Sequence, residues 1–403
     1  MPLLPGGGGA VPLDGRPGGP EVGQMDAHTP HQELEDYRDE FPILASRTYL
    51  NSCSLGALSR RSMDYLAEFQ ELWNSLGASA WYQLWLGRLD ELRGSVAALW
   101  GARLPEIALS PSVSAALSSV ASAVDYRERS KVVVAELDFP TQIYQWMARP
   151  GIEVVRVPSD DGVGVPAGRW AEYVDQRTAV VATSHVFYSS GYIQDLPLIA
   201  ETARANGALF VVDGYQAAGQ LPVIPAATGA DVYLAGPLKW LLGGPGMAFM
   251  WVRQDLIRRL TPTVASWFGA ADQFDFRVDR FELRPDARRF ELGTPALPTC
   301  YTALGGLEIV REVGGERIRA RNRALTDLLV ERLGAAGFPP RAVGREHRSA
   351  IVTVPVADAA GVVARLAELG IIVDRRGDLV RVSPHFYNSV EDLERFVEGL
   401  AGG

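Results

Sequence analysis

Short, uninterrupted apolar runs alternate with helical stretches in the middle of this chain, and this alternation limits its fold more than any other feature. The runs are residues 131–135, 179–184, 208–212, 232–235 and 247–252. A continuous apolar strand needs cover on both faces, which is typical of parallel sheets. The sequence therefore predicts an α/β fold with a mostly parallel sheet, of the seven-stranded type, between helices.

A second unit is predicted after about residue 310. A helical stretch at roughly 314–336 is followed by strand 350–355, helix 358–369, two short strands at 371–374 and 379–383, and helix 389–400. We expect a large α/β domain over residues 31–310 and a small C-terminal α+β domain over residues 311–403. Ligands of open α/β sheets bind at the carboxyl ends of the strands.

The first thirty residues carry no folding pattern. A Gly/Pro-rich run follows Met1, without the basic start and apolar segment of a signal peptide. We expect residues 1–30 to be disordered, or to be an over-extended N-terminus that includes a true initiator near Met25.

Composition excludes several classes of protein. The net charge of −9 argues against a nucleic-acid surface, and no stretch of eighteen apolar residues predicts a membrane span. The cysteines, Cys53 and Cys300, form no metal-binding spacing and predict no disulfide, which favours a cytoplasmic location.

Two polar residues follow neighbouring apolar strands. Asp213 ends one strand, and Lys239 follows the next, just before a Gly-rich turn. Burial between Leu238 and Trp240 would lower the pKa of Lys239 and favour the neutral amine that Schiff-base chemistry needs. Pyridoxal 5′-phosphate (PLP) is an electron sink while its ring nitrogen stays protonated, and a carboxylate beside that nitrogen keeps it so. The pair therefore predicts a PLP site.

Further motifs agree with this interpretation in order and spacing. They are residues 48–56, Asp-Phe-Pro-Thr at 138–141, Asp-Gly-Tyr-Gln-Ala at 213–217, Ser-Trp-Phe-Gly at 266–269, residues 289–295 and residues 379–389. With them the chain resembles fold-type I PLP enzymes of the class V aminotransferase superfamily. That group includes cysteine desulfurases, kynureninases and isopenicillin N epimerase-like proteins.

The resemblance implies a set of cofactor contacts. Lys239 would hold PLP as a Schiff base and Asp213 would pair with its ring nitrogen. Val113 and Ser114 would bind the phosphate at a helix N-terminus, which is a suitable anion site, although a simple N-cap serine is the alternative. The other implied contacts are Phe139 stacked on the ring, Ser184 near it, Gln216 at the phenolic oxygen, Trp267, and Thr294 at the phosphate of a neighbouring subunit.

The resemblance also implies the substrate contacts. Arg381 would bind the α-carboxylate of a small amino acid, because a guanidinium matches a carboxylate bidentately. Asn51 and Ser52 would lie in the N-terminal segment that reaches the site. A homodimer with shared active sites is implied, and His185 is interpreted as a structural residue.

Departures from the family patterns limit the assignment of a reaction. Residues 373–380 lack the loop cysteine of cysteine desulfurases, and Cys53 is interpreted as a packed thiol. Leu238, Ala270 and Gln216 replace residues typical of kynureninases. We expect a lyase-type reaction at a C–S or Cβ–Cγ bond, with transamination or Cα epimerisation as the alternative. A catalytically inactive PLP-binding protein, acting as a regulator, is the alternative of another class. Such regulators generally carry an added DNA-binding module, and no helix-turn-helix region precedes Thr48.

Overall fold

A computed structural model describes Leu34 and residues 36–402. The expectation for residues 1–30 lies outside this part of the chain. Among the described residues, no helix is both long enough and apolar enough to cross a bilayer.

The strands are mostly four to seven residues long. They are β1 Thr48–Tyr49, β2 Ile107–Ser110, β3 Lys131–Ala135, β4 Glu153–Val157, β5 Thr178–Ser184, β6 Leu209–Asp213, β7 Val232–Ala235, β8 Ala248–Val252, β9 Val352–Pro355, β10 Ile371–Ile372, β11 Asp374–Arg376 and β12 Leu379–Val382.

The α-helices pack around these strands. They are α1 Arg60–Leu76, α2 Leu86–Trp100, α3 Val113–Ser122, α4 Pro140–Met147, α5 Leu196–Ala205, α6 Gln254–Ile257, α7 Leu297–Val313, α8 Gly315–Ala335, α9 Ala359–Glu368 and α10 Val390–Ala401. Short 3₁₀ segments and one π segment connect them, at Asp36–Glu40, Pro42–Ala45, Gly77–Ser79, Trp81–Trp85, Leu104–Glu106, Ala167–Glu172, Pro225–Thr228, Trp267–Gly269 and Ala287–Phe290.

The large sheet has seven strands in the order β2-β8-β7-β6-β5-β3-β4. Strands β3 to β7 run parallel, and β8 is antiparallel to both β7 and β2. The predicted fold class is thereby confirmed. Because β3, β5, β6 and β7 point the same way, their carboxyl ends meet at one edge, where Ser184 and Asp213 end β5 and β6.

Each strand of the large sheet places side chains in two separate apolar clusters. On β3, Val133 and Ala135 belong to one cluster, whereas Val132 and Val134 belong to the other. This alternation is the physical reason for the uninterrupted apolar runs, because neither face of the sheet meets solvent.

Side-chain caps begin several of the helices. Ser59 and Ser112 accept hydrogen bonds from backbone N–H groups in the first turns of α1 and α3, and Asp358 does so in α9. Ser389 forms a reciprocal capping box with Asp392 at α10. These caps satisfy N–H groups that a helix leaves without intrahelical partners.

A third apolar cluster lies in the C-terminal part of the chain. It joins α8, α9 and α10 to a three-stranded sheet in the order β11-β12-β9, and it includes Leu50. Parallel pairing of β1 with β10 attaches the N-terminal segment to this unit. The division at residues 310 and 311 stays a prediction.

Candidate active site

A cavity of about 260 Å³ opens at the carboxyl edge of the large sheet. Seven of the predicted site residues line it, namely Val113, Ser114, Phe139, Ser184, Asp213, Gln216 and Lys239. Ser112, Thr141, Val186, Tyr188, Tyr215 and Leu238 complete the lining. The motifs at residues 138–141 and 213–217 therefore meet the start of α3 and Lys239 around one cavity.

Lys239 lies in the turn between β7 and β8. Burial lowers the pKa of its amine to about 8. Its Nζ atom lies 4.9 Å from the centre of the Tyr215 ring. The sequence contains one other lysine, Lys131. That residue begins β3 at the opposite edge of the sheet and pairs with Asp175 at 3.0 Å.

Asp213 is the last residue of β6 and lies in register with Ser184 at the end of β5. Its Oδ1 atom accepts a hydrogen bond of 2.9 Å from the Tyr215 N–H. Burial raises the pKa of this carboxyl group. In the described part of the chain Oδ2 accepts no hydrogen bond, so a cationic N–H in the cavity would find a free acceptor there.

The start of α3 forms a polar end of the cavity. Ser112 caps the helix by accepting a hydrogen bond from the Ala115 N–H at 3.1 Å. The N–H groups of Val113 and Ser114 have no acceptor among the described residues. The hydroxyls of Ser114 and Thr141 lie 3.2 Å apart beside them. Free N–H groups, hydroxyls and the helix dipole together suit a phosphate.

Asp138 connects the aromatic wall of the cavity to the sheet. Its carboxylate accepts hydrogen bonds from the N–H groups of Ala135 at 2.8 Å and Ser184 at 2.6 Å, and from the Thr183 hydroxyl at 3.1 Å. Burial raises its pKa to about 7. Asp138 thus ties β3 to β5 and positions Phe139, which follows it.

Gln216 links the N-terminal segment to the lysine turn. Its amide nitrogen donates to the Cys53 carbonyl at 2.9 Å, and its amide oxygen accepts from the Trp240 indole at 2.9 Å. The predicted contact with the phenolic oxygen of PLP would use the second N–H of the same amide.

The groups around the cavity fit PLP. A buried amine, a carboxylate with a free oxygen and an anion-binding helix terminus match its aldehyde, ring nitrogen and phosphate, respectively. Phe139 lines the cavity, is 44% exposed and forms a T-shaped contact with the Tyr188 ring at 5.2 Å, which suits a ring that stacks on a flat ligand.

The predicted substrate residues lie outside the lining of the cavity. Arg381 is completely buried and donates to the Tyr188 carbonyl at 2.7 Å. Ser52 is also buried, with its hydroxyl 2.7 Å from that of Tyr387, and Asn51 forms a bridge with Ser383.

Trp267 and Thr294 also lie away from this cavity. Trp267 lines a different cavity of about 380 Å³ within residues 265–282, and Thr294 is exposed. Neither residue lines the cavity of Lys239, and their contacts with PLP stay predictions.

The two cysteines and His185 lie inside the protein. Cys53 and Cys300 are fully buried thiols, and His185 Nδ1 lies 2.9 Å from the Tyr233 hydroxyl. Burial lowers the pKa of His185 to about 4, so this imidazole is neutral at physiological pH.

The sequence prediction missed Thr141, Tyr188 and Tyr215 in the cavity. Thr141 and Tyr215 lie within motifs already identified, so their proximity to Phe139 and Asp213 could have indicated them. Tyr188 follows the end of β5 by four residues, and no pattern in the sequence marks it.

Comparisons with known proteins agree with this geometry. The profile of the family described as Aminotransferase class-V matches residues 49–396. The "Uncharacterized aminotransferase YcbU" of Bacillus subtilis (strain 168) is 32% identical over 367 residues, covering 91% of this chain and 97% of the relative. A kynureninase of Deinococcus radiodurans is 29% identical over 401 residues, covering 94% and 96% of the two chains.

A solved structure shares the fold. It is the cystine C–S lyase C-DES in complex with its reaction product cysteine persulfide, with a TM-score of 0.83 and 21% identity. The match covers 90% of this chain and 99% of that one.

Proposed function

The chain belongs to the class V aminotransferase family of PLP-dependent enzymes, and we propose that it uses PLP, held on Lys239, to break a bond in a small α-amino acid. The bond would be C–S or Cβ–Cγ, which is a lyase-type reaction. The observation that carries the proposal is that the buried amine of Lys239 and the free oxygen of Asp213 line one cavity.

The residues of the cavity would have separate chemical roles. PLP, when bound, supplies an electron sink for the electron pair that the Cα–H bond leaves on Cα. Asp213 would accept a hydrogen bond from the ring N–H and hold the proton on that nitrogen. Lys239 would use its neutral Nζ to attach the cofactor and then to remove the Cα proton.

Support for a lyase comes from the relatives and from the Phe139 motif. The kynureninase relative aligns over nearly the whole chain. The sequence Asp-Phe-Pro-Thr at residues 138–141 resembles its family motif, and Phe139 lies in the cavity as that motif implies. Transamination is the second candidate, because the YcbU relative carries the name of an aminotransferase at 32% identity.

Product analysis separates the two reactions. Purified holoenzyme is incubated with each of the common amino acids, and the cofactor absorbance and the released products are followed. The proposal predicts release of pyruvate, alanine or sulfide. Accumulation of pyridoxamine phosphate that a 2-oxo acid reverses would instead establish an aminotransferase. Binding of PLP without conversion of any amino acid would favour the inactive PLP-binding protein.

A homodimer with shared active sites is also part of the proposal. Thr294 is exposed and lies away from the cavity of its own chain, and residues 264–281 expose several apolar side chains that a second chain could cover: Val264, Trp267, Phe274, Phe276, Val278 and Phe281. A cytoplasmic location stays a prediction that rests on the two free cysteines.

A further inference from the structure

Arg381 is already engaged by groups of its own chain. It lies on β12, and its side chain has no exposed surface. Nη1 donates to the Tyr188 carbonyl, and Nη2 donates to the Ser54 hydroxyl at 2.7 Å and to Asp374 Oδ2 at 2.9 Å. Nε is buried without a partner among the described residues. This arginine thus has spare donor capacity, although it does not itself line the cavity.

Asp374 supplies a carboxylate to this arginine. It begins β11 and lies directly opposite Arg381 in the ladder with β12. Its Oδ2 also accepts a hydrogen bond from the Ser54 hydroxyl at 2.6 Å and forms an ion pair with Arg376 Nη1 at 2.8 Å. Partial burial tends to raise its pKa, but the hydrogen bonds from Ser54 and from the Arg375 N–H, together with the nearby arginines, lower it to about 2. Asp374 is therefore an anion throughout the physiological pH range.

Arg381 contacts the wall of the cavity that Lys239 lines, because its Nη1 donates to the carbonyl of Tyr188, which is a lining residue. Burial is the main cause of the lowered pKa of Lys239, and the positive charges of Arg381 and Arg376 add to it. An amino acid whose amino group reaches Lys239 would therefore bring its carboxylate towards Arg381. Two carboxylates at one guanidinium repel each other, whereas exchange of one for the other preserves the charge balance.

We propose that Asp374 is a displaceable internal carboxylate, which occupies Arg381 in the substrate-free enzyme and gives way to the α-carboxylate of the substrate. Asp374 is then a specificity-determining residue, because a ligand must carry a carboxylate to take its place. The inference rests on the proposed function, since it assumes that an amino acid binds at Lys239.

The position of Asp374 in the fold allows such an exchange. Strand β11 has three residues and lies at the edge of the small sheet, paired only with β12. The hairpin turn contains Gly377 at a φ of 56°, and Arg375 is exposed. Movement of a short edge strand would break few backbone hydrogen bonds and leave the apolar cluster of the unit intact.

Binding measurements on the holoenzyme test the exchange. Glycine and L-alanine are titrated against the protein, and dissociation constants are obtained from the change in visible absorbance of the cofactor. Asp374→Asn removes the competing charge at nearly constant shape. We expect it to lower both dissociation constants roughly tenfold, which corresponds to about 1.4 kcal/mol. Methylamine, which has no carboxylate, should bind both proteins equally.

Two further variants complete the test. Arg375→Gln changes an exposed side chain on the same strand and should leave the dissociation constants within about twofold of wild type. Ser54→Ala keeps Asp374 but removes one of its donors, so it should tighten amino-acid binding roughly two- to fivefold. This second variant decides the matter if Asp374→Asn does not fold.

The outcomes separate the inference from the proposed function. Unchanged or weaker glycine binding in Asp374→Asn, or weaker binding in Ser54→Ala, would overturn the role of Asp374. Equal tightening for methylamine would also overturn it. A wild-type protein without the visible band of lysine-bound PLP would instead contradict the proposed function.

Discussion

Lys239 lies in surroundings that disfavour its own charge. Burial lowers the pKa of its amine from 10.5 to about 8. At pH 7 this change increases the fraction of neutral amine by roughly 300-fold. The neutral amine is the form that attacks a carbonyl carbon or accepts a proton, so the burial of one side chain prepares the chemistry.

The same burial has a cost in stability that depends on pH. Because the folded-state pKa of Lys239 lies below its unfolded value, protonated Lys239 opposes folding. The penalty is fully present below about pH 8 and disappears as the pH rises towards 10.5. Lys239→Met should therefore raise the free energy of unfolding of the apoenzyme at pH 7 by about 3 kcal/mol.

Urea unfolding of the apoenzyme at pH 7 and at pH 10 measures this difference, which should shrink at the higher pH. Lys131→Met is the matched control. It removes the ion pair with Asp175 and should not stabilise the protein. A Lys239→Met protein less stable than wild type at pH 7 would show that the buried charge is compensated.

At the scale of elements, the lysine turn is held against the N-terminal segment. The Gly56 N–H donates to the Leu238 carbonyl at 2.9 Å, and a Cβ atom at Gly56 would lie 2.1 Å from the Lys239 carbonyl oxygen. Leu242 in the same turn adopts a φ of 62°, which is strained for a residue with a side chain. Close approach at Gly56 thus helps to maintain the turn.

Gly56→Ala should push the two segments apart. We expect a loss of about 1–3 kcal/mol in the free energy of unfolding and weaker retention of PLP during gel filtration. Gly87→Ala is the control, since an added methyl group there would meet no other atom within 4 Å and would favour helix α2. Equal stability and equal PLP retention in the two variants would contradict the role of Gly56.

The amino-acid patterns of the strands and helices explain which of them were predicted from the sequence and which were missed. The buried strands β3, β5, β6, β7 and β8 were predicted, because both of their faces are apolar. Strand β4 was missed because it lies at the sheet edge and carries charged residues such as Arg156. Helix α7 was missed because Gly305 and Gly306, which usually disfavour a helix, allow close packing there against α1 and the lysine turn.

The candidate site was also only partly predictable from the sequence. Asp213 and Lys239 follow buried strands, so the fold itself brings them to one edge. The pairing of Arg381 with Asp374 was not predictable, because it depends on the register of a three-residue edge strand that has no apolar pattern.

At the scale of the whole molecule, the proposed dimer should complete the phosphate site. Sedimentation of the holoenzyme should give twice the chain mass of 43.7 kDa. Thr294→Ala should keep the dimer but raise the dissociation constant of PLP roughly three- to tenfold, because one hydrogen bond to the phosphate is lost. A monomer that binds PLP with full affinity would contradict the shared site.

The central claim is that Lys239 carries PLP. The chain contains only two lysines, which makes this claim unusually direct to test. Holoenzyme is reduced with borohydride, digested with a protease that does not depend on lysine, and mapped by mass spectrometry, with Lys131→Arg and Lys239→Arg proteins treated alike. We predict a phosphopyridoxyl adduct on the Lys239 peptide of wild type and Lys131→Arg, and none in Lys239→Arg. An adduct on Lys131, or no lysine adduct in reduced wild-type holoenzyme, would contradict the account.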